Sequence, residues 1–347
     1  MEASMADESH DHDAESHAEL RIPPELSGRR LDFCLAKSYP ERSRAFFQRL
    51  LRSGAVLRNG ESCRSANKID EGDVITFDWP EEAFPTIEAE DIEFGVIFED
   101  EDVLVINKPP NLVVHPAQGH RTGTLVHGLL FYDSDKFGAL LDKDLRPGIV
   151  HRLDKDTSGV MVVAKNEEAR KALKDAFKER RVEKTYLTLV IGEFGAVAGE
   201  MLKPIGRNPK NRQKMTVVRD GGKRAVTKYR ILGTSQGISL IQVRIETGRT
   251  HQIRVHFSDL RHPVLGDSLY GGRQRGLPVW VPRQMLHAWK LVFPHPQTGI
   301  MREYMAPPPE DFQRALRELD LPQIGGKPLP QNPVVPQPIP EQTTVDP

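Results

Sequence analysis

The sequence predicts an α/β or α+β sheet domain behind a smaller unit that also mixes helix and strand. Three observations carry that reading. Between residues 91 and 320, short apolar runs of strand character alternate with amphipathic helix patterns. A separate apolar pattern occupies residues 21–80, and an acid-rich stretch divides the two. The 347 residues exceed one small module, and 38% hydrophobic with 28% charged residues is an ordinary globular balance.

Residues 1–20 hold seven acids, three histidines (His10, His12, His17) and no Lys or Arg. They read as a disordered acidic tail, with metal binding by the histidines as the alternative. In residues 21–80, Ser43 can cap a helix over 44–53, with Phe46, Phe47, Leu50 and Leu51 as its apolar stripe and Gly54 ending it. Arg42, Arg44, Arg49 and Arg52 bracket that helix. Residues 55–60 read as a strand entering a tight turn, and 72–77 as another strand. An arginine-flanked helix beside a hairpin is either a solvated face or an RNA-binding one.

Residues 81–102 contain ten acids and no Lys or Arg, so 81–90 is expected to be a linker. Val103-Leu104-Val105-Ile106 predicts a buried strand, stopped by Pro109-Pro110. A strand over 160–164 leads to Asn166, which caps a helix with Glu167 and Glu168 in its first turn. Lys178, Arg180 and Arg181 lie at the other end, the charge order that suits a helix dipole. A further strand covers 185–191. Ile241, Val243 and Ile245 alternate with polar residues up to a turn at Thr247-Gly248. Residues 251–257 are expected to return as the second strand of a hairpin, with Ile253, Val255 and Phe257 on one face. Residues 321–347 hold eight of the 27 prolines and read as an extended, disordered tail.

Charge and composition exclude several classes. No apolar run approaches the ~18–20 residues that span a bilayer. The N-terminus lacks the basic and apolar regions of a secretory signal. A cytoplasmic protein without membrane attachment is expected. Two cysteines, Cys34 and Cys63, supply neither a disulfide framework nor a four-cysteine zinc site. The net charge of −1 is an average: without the seven acids of the tail, 48 basic residues face 42 acidic ones. Residues 203–230 carry ten basic residues against the single Asp220. That imbalance favours a phosphate-binding track through Arg207, Lys210, Arg212 and Lys214 over a solvated face.

Three polar clusters are candidates for chemistry. Residues 148–159 place His151-Arg152-Leu153-Asp154-Lys155-Asp156 in a loop between strands, where catalytic groups often sit; a plain polar turn is the alternative. Lys184-Thr185-Tyr186 heads a strand, where a tyrosine serves either packing or catalysis. Strand alternation would place Gln252, Arg254 and His256 on one polar face. An arginine there needs a carboxylate, and the Asp154 loop is its natural supplier. No zinc spacing, Walker loop, dinucleotide turn or nucleophile elbow occurs, so chemistry without metal or cofactor is expected.

The run Arg146-Pro147-Gly148-Ile149-Val150-His151-Arg152-Leu153-Asp154-Lys155-Asp156-Thr157-Ser158-Gly159 resembles the signature of the RluA-type pseudouridine synthases. Further resemblances follow in order. They are Asn107-Lys108-Pro109 through Val114-His115-Pro116, Glu183-Lys184-Thr185-Tyr186, the segment 246–256, Gly266-Asp267, Tyr270-Gly271-Gly272, and Arg283-Gln284 with Leu286-His287-Ala288. Together they cover roughly residues 90–312. Residues 21–78 resemble the S4-like RNA-binding domain through Arg30-Leu31-Asp32, Leu35-Ala36, Ser43-Arg44 and Gly54-Ala55-Val56. There Leu57-Arg58-Asn59-Gly60 departs from the usual valine-asparagine-glycine. This order of domains is similar to the C- and D-type enzymes of large-subunit ribosomal RNA, and Pro204-Ile205-Gly206-Arg207 looks closer to the D type.

The resemblance implies an α+β fold, a mixed and largely antiparallel sheet with flanking helices, behind a small α+β S4-like domain. It implies that Asp154 detaches uracil from C1′ of a flipped-out uridine, as nucleophile or by removing the C2′ proton. Tyr186 would pack on the base and help to remove the C5 proton, Arg254 would pair with Asp154, and Arg152 would fill the gap left by the flipped nucleotide. Leu153 and Ile253 would shape the pocket. His151, Arg44 and Arg49 join the expected RNA-binding set.

The expectation is an enzyme, a monomer without metal or cofactor, acting on large-subunit ribosomal RNA or a pre-ribosomal particle. Transfer RNA is the alternative substrate, and a non-catalytic ribosome-assembly factor the alternative class. An N-glycosidase would instead release free uracil. The expected organisation is a tail over 1–20, the S4-like domain over 21–80, a linker over 81–90, the catalytic domain over 91–320 and a tail over 321–347.

Overall fold

The computed structural model describes residues 17–40, 42, 44–79, 87–116, 119–141, 146–211, 213–271 and 276–324. They divide into two compact units, the second beginning at Ile87.

The first unit contains β1 (His17–Arg21), α1 (Leu31–Ser38), α2 (Arg44–Arg52), β2 (Val56–Arg58), β3 (Glu61–Ser62) and β4 (Val74–Asp78). Its sheet runs β1-β4-β2-β3. The helices cover it with a core that includes Leu31, Leu35, Phe47, Val56, Ile75 and Phe77. Asn59 (φ 52°) and Gly60 (φ 84°) make the tight β2–β3 turn, both left-handed as a two-residue hairpin loop requires. The expected tail is shorter than 20 residues. His17 to Leu20 lie in β1, which pairs with β4, buries Ala18 and joins His17 Nδ1 to Asp78 Oδ1 at 2.7 Å. The alternation of Ala18, Leu20 and Ile22 forms a strand once β4 offers an edge, a partner that local composition does not reveal. The reading of residues 1–16 and the Ser43 cap lie outside the described residues.

The second unit begins with β5 (Gly95–Glu99), β6 (Val103–Lys108), α3 (Leu125–Tyr132), α4 (Ser134–Ala139), β7 (Ser158–Ala164), α5 (Glu167–Lys178) and β8 (Glu183–Ile191). Then follow β9 (Ala198–Leu202), β10 (Ile205–Arg207), β11 (Met215–Val217), β12 (Val226–Ser235) and β13 (Ile238–Ile245). It closes with α6 (Gln252–Asp259), β14 (Leu286–Pro294), β15 (Met301–Met305) and α7 (Glu310–Glu318). Nine strands form one sheet in the order β5-β6-β7-β14-β8-β13-β12-β9, with β15 beside β14. β7 and β14 run parallel and the other described neighbours antiparallel, the mixed, largely antiparallel sheet that was expected. One face carries Tyr186, Val190, Ile241 and Val243 against α3, α4, α5 and α6. The other carries Leu187, Leu189, Leu240 and Trp289 against α7. A two-stranded ribbon, β10 with β11, stands apart from the sheet.

Asn166 caps α5 as expected, its side chain accepting from Ala169 N at 2.8 Å. Three expectations change. The acid-rich stretch contains β5, and Ile87, Ile92 and Phe94 already pack on the core, so the described part of the linker belongs to the second unit. Leu321 and Ile324 are buried under α7, so the C-terminal tail does not start at 321; residues 325–347 lie outside the described set.

Residues 252–257 form helix α6, not the second strand of a hairpin. Ile253 and Phe257, four apart, enter the main core, while Val255 enters a small cluster with Ile205 and Ala225. Gln252 ties the helix start to Thr247, Arg249, Val226 and Thr227. A short helix buried on every side shows no polar face, so its apolar spacing imitates a strand.

Candidate active site

The loop 148–159 is framed by two glycines where a side chain would force the neighbouring backbone to shift. A Cβ on Gly148 (φ 65°) would lie 2.2 Å from Ala164 O, and one on Gly159 (φ 120°) 2.1 Å from Ala288 O. Between them, Thr157 N donates to Asp154 O at 3.1 Å, closing a turn. Two buried cations hold the backbone beyond Asp154. Lys108 Nζ donates to Lys155 O at 3.0 Å and to the carbonyls of Pro109 and Leu112. Arg283 donates to Asp156 O at 2.9 Å while Asp311 binds two of its nitrogens, at 2.7 and 2.9 Å. The Asp154 side chain itself lines the cleft.

Arg254 meets it there. Its Nη1 donates to Asp154 Oδ2 at 2.9 Å, and its Nε and Nη2 donate to the two oxygens of fully buried Asp267 at 2.6 and 3.0 Å. Asp267 also accepts from Leu269 N and Tyr270 N. Burial works against the Arg254 charge, but the bond to Asp267 and the charges of both aspartates outweigh it, and its pKa is raised. The Tyr270 ring lies 5.1 Å from the guanidinium carbon. Tyr270 Oη accepts from Met215 N at 2.8 Å and shares a 2.8 Å hydrogen bond with His251 Nδ1. His251 Nε2 stands 3.9 Å from Asp154 Oδ2. This histidine takes a left-handed conformation (φ 55°, ψ 21°) at the N-cap of α6, and burial pushes its pKa down.

Tyr186 faces the same cleft from β8. It is buried, and its hydroxyl has no hydrogen-bond partner among the described residues. Burial, then the Asp154 charge, push its pKa well up, so the phenol stays protonated at neutral pH. Arg152, Leu153, Ile245, Arg249, Ile253 and Leu286 complete the walls. The arrangement is one carboxylate held by an arginine, a neutral aromatic ring beside it and an exposed arginine at the rim.

Comparison with known proteins decides what family this site belongs to. Residues 102–259 match the RNA pseudouridylate synthase family, and residues 29–75 match the S4 domain. An uncharacterized RNA pseudouridine synthase of Bacillus subtilis, YlyB, is 42% identical over 301 residues, 87% of this chain and 97% of that protein. A protein of Pseudomonas aeruginosa named ribosomal large subunit pseudouridine synthase D is 42% identical over 301 residues, 84% of this chain and 92% of its own length. The solved structure of human RNA pseudouridylate synthase domain containing 1 superimposes with a TM-score of 0.50 at 30% identity, over 64% of this chain and 86% of that one. The chain belongs to the RNA pseudouridine synthase family. It is an isomerase that converts uridine in RNA to pseudouridine, and it carries an S4 RNA-binding domain. No helix among the described residues is long and apolar enough to cross a membrane.

In this pseudouridine synthase the cleft brings together Arg152, Leu153, Asp154, Tyr186, Ile253 and Arg254 from the residues expected of it. Arg254 reaches Asp154 from a helix, not from the polar face of a strand. His151 does not join the cleft: its ring stacks on Phe177 at 4.7 Å and its Nε2 accepts from Val162 N at 3.1 Å. Of the basic track, Arg207 and Lys210 are exposed, and Lys214 Nζ lies 6.0 Å from the Tyr270 ring. Arg212 lies outside the described residues. The track is less one-sided than the sequence suggests, because Lys203 pairs with Asp259 and Lys228 with Glu246 at 2.7 Å each. In the S4 unit, Arg44 pairs with the buried Asp32 at 3.0 Å, and the Arg49 side chain lies outside the described set.

Sequence reasoning missed Asp267, Tyr270 and His251 as parts of the site, and Lys108 and Arg283 as its supports. One signal was available for Asp267. A buried guanidinium has five donors, and Asp154 alone could not satisfy them. Among the described residues, Asp100, Asp102 and His295 lie close enough together to hold a cation. They share no residue with the cleft and already bond to neighbours, Asp100 to His295 and Asp102 to Asn166.

Proposed function

We propose that this enzyme isomerises specific uridines of large-subunit ribosomal RNA, with Asp154 as the catalytic group. The observation that carries the reading is the 2.9 Å hydrogen bond from Arg254 to Asp154 in a cleft that also presents the Tyr186 ring. Asp154 acts on the flipped uridine, either attacking as nucleophile or removing the C2′ proton. The C1′–N1 bond breaks, uracil stays on Tyr186 and turns, and a C1′–C5 bond forms. The C5 proton then leaves and N1 takes one up, so atoms balance without water or an oxidant. Hydrolysis of a glycosidic bond commonly uses two carboxylates, one of them to activate water. Here the second carboxylate, Asp267, is buried behind Arg254.

Arg152, exposed at the rim, occupies the space the uridine leaves and offsets part of an unstacking cost of a few kcal/mol. Arg207, Lys210, Arg212 and Lys214 meet phosphates, and Arg44 and Arg49 extend the RNA contact on the S4 domain. Support for the ribosomal substrate is the 42% identity to the enzyme named for the large subunit in Pseudomonas aeruginosa. The organisation we favour is an RNA-binding unit followed by one catalytic domain, working as a monomer in the cytoplasm; two free cysteines suit a reducing compartment.

The test is tritium release from RNA labelled at C5 of uridine, with unmodified large-subunit ribosomal RNA and transfer RNA in parallel. Release from ribosomal RNA by the wild-type protein, abolished in Asp154→Ala, is the expected result. Release only from transfer RNA overturns the substrate, and full release by Asp154→Ala overturns the catalytic role.

A further inference from the structure

Lys184 is a buried cation that the chemistry of the cleft does not use. Its side chain is on the same face of β8 as Tyr186, two residues and roughly 6.6 Å along the strand. Only 8% of the residue is exposed, and among the described residues its Nζ, whose tip still reaches solvent, has neither a hydrogen-bond acceptor nor a carboxylate. Its nearest ring is Phe177, 5.8 Å from Nζ. The adjacent acid is spent elsewhere: Glu183, on the opposite face of the strand, pairs with Arg244 at 3.1 Å. Glu246, following the Ile245 that lies opposite Lys184 in β13, pairs with Lys228.

A lysine this buried and this unpartnered is costly in the free protein. Burial, reinforced by the charge of Arg180, pushes its pKa down to about 8. Lys108, fully buried, finds three carbonyls, and Arg283, as buried as Lys184, finds a carboxylate. Lys184 therefore has the chemistry of a group whose partner arrives with the ligand.

Its position says which part of the ligand that is. Phe177 also stacks on His151, which directly precedes Arg152 and lies three residues before Asp154. Lys184 thus shares the strand of Tyr186, lies opposite Ile245 of the cleft wall in β13 and, through Phe177 and His151, adjoins the start of the loop that carries Asp154. A base on Tyr186 puts its own sugar-phosphate a few ångströms away along the strand, and an anion there would meet Lys184 and Arg180 together. We propose that Lys184 binds a backbone phosphate flanking the flipped uridine, with Arg180 as the outer cation of the same subsite. This rests on the reading of Asp154 and Tyr186 as the uridine site.

The experiment compares the wild-type protein with Lys184→Met and Lys184→Arg. It follows C5 tritium release on large-subunit ribosomal RNA and transfer RNA across a range of KCl concentrations, with melting temperatures of the free proteins. Lys184→Met is expected to raise KM roughly tenfold, the worth of a charge-assisted contact, while kcat changes little. The slope of log(kcat/KM) against log salt should become shallower by about 0.7, one phosphate on single-stranded RNA. Lys184→Arg should keep the wild-type slope. Because the amine has no partner in the free protein, Lys184→Met should hold or raise the melting temperature. An unchanged slope, or a marked loss of stability showing that the amine is already satisfied, overturns the subsite. Wild-type protein inactive on both RNAs overturns the uridine reading itself, and the subsite with it.

Discussion

Asp267 binds two nitrogens of the Arg254 guanidinium, Nε at 2.6 Å and Nη2 at 3.0 Å, leaving Nη1 to reach Asp154 at 2.9 Å. The geometry is directional. A fork held from behind by a fully buried carboxylate points its remaining donor at one place in the cleft. Asp154 is thereby aimed by a residue that is itself buried and does not line the cleft.

Asp267→Asn should expose this dependence. It leaves the Arg254 charge short of a buried partner, so a stability loss of about 3–5 kcal/mol is expected from thermal or urea unfolding. The surviving folded protein should lose kcat more than it gains in KM. Wild-type kcat in the folded variant would show that Asp154 is positioned without this fork.

Arg254→Leu removes the donor itself. Activity should fall by at least ~100-fold, a size typical of losing one preorganised electrostatic contact, while RNA affinity drops little. Single-turnover tritium release and filter binding on the same preparation read the two effects separately, and full turnover would remove Arg254 from the mechanism.

Gly159→Ala probes the frame of the Asp154 loop. The new Cβ would lie 2.1 Å from Ala288 O at φ 120°, where β7 meets β14, so backbone must move. A loss of about 2 kcal/mol or more is expected, together with lower kcat. An unchanged melting temperature would mean the β7–β14 junction yields without cost.

Acid should destabilise the catalytic domain. Burial holds His151 near pKa 3 and His287 near 4, and burial with the charges of Arg146 and Arg152 holds His115 near 4. Each folded value lies below the ordinary 6.5, so the unfolded chain binds more protons across that interval and stability falls as pH drops from about 6.5 towards 4. The melting temperature should decline through this window, and His151→Gln should decline less steeply. Equal slopes would show that His151 is not held neutral by the fold.

The β10–β11 ribbon offers a check on the basic track. Neutralising Lys210 and Lys214 together should flatten the salt dependence of RNA binding by about 1.4 in slope for single-stranded contacts. An unchanged slope would move the phosphate path off this ribbon.

Local physics is legible in the chain. The strand β6 ends at Lys108 before two prolines, and α5 starts where Asn166 can cap it. The loop at Asp154 is dense in charge because it lies outside the core, and each of these features depends on neighbours a few residues away. The need of Arg254 for a carboxylate was also readable, because burying an unpaired charge is unfavourable in any fold. Periodicity could not show that residues 252–259 are helical, since a short helix with every face buried loses the polar stripe that would reveal it. Nor could it reveal β1, whose pairing with β4 joins residues 61 apart at His17 and Asp78. Only the tertiary structure brings Asp267 behind Arg254 and Arg283 beneath Asp156. The first spans 13 residues and the second 127, and in neither does anything local mark which acid or carbonyl will meet which cation.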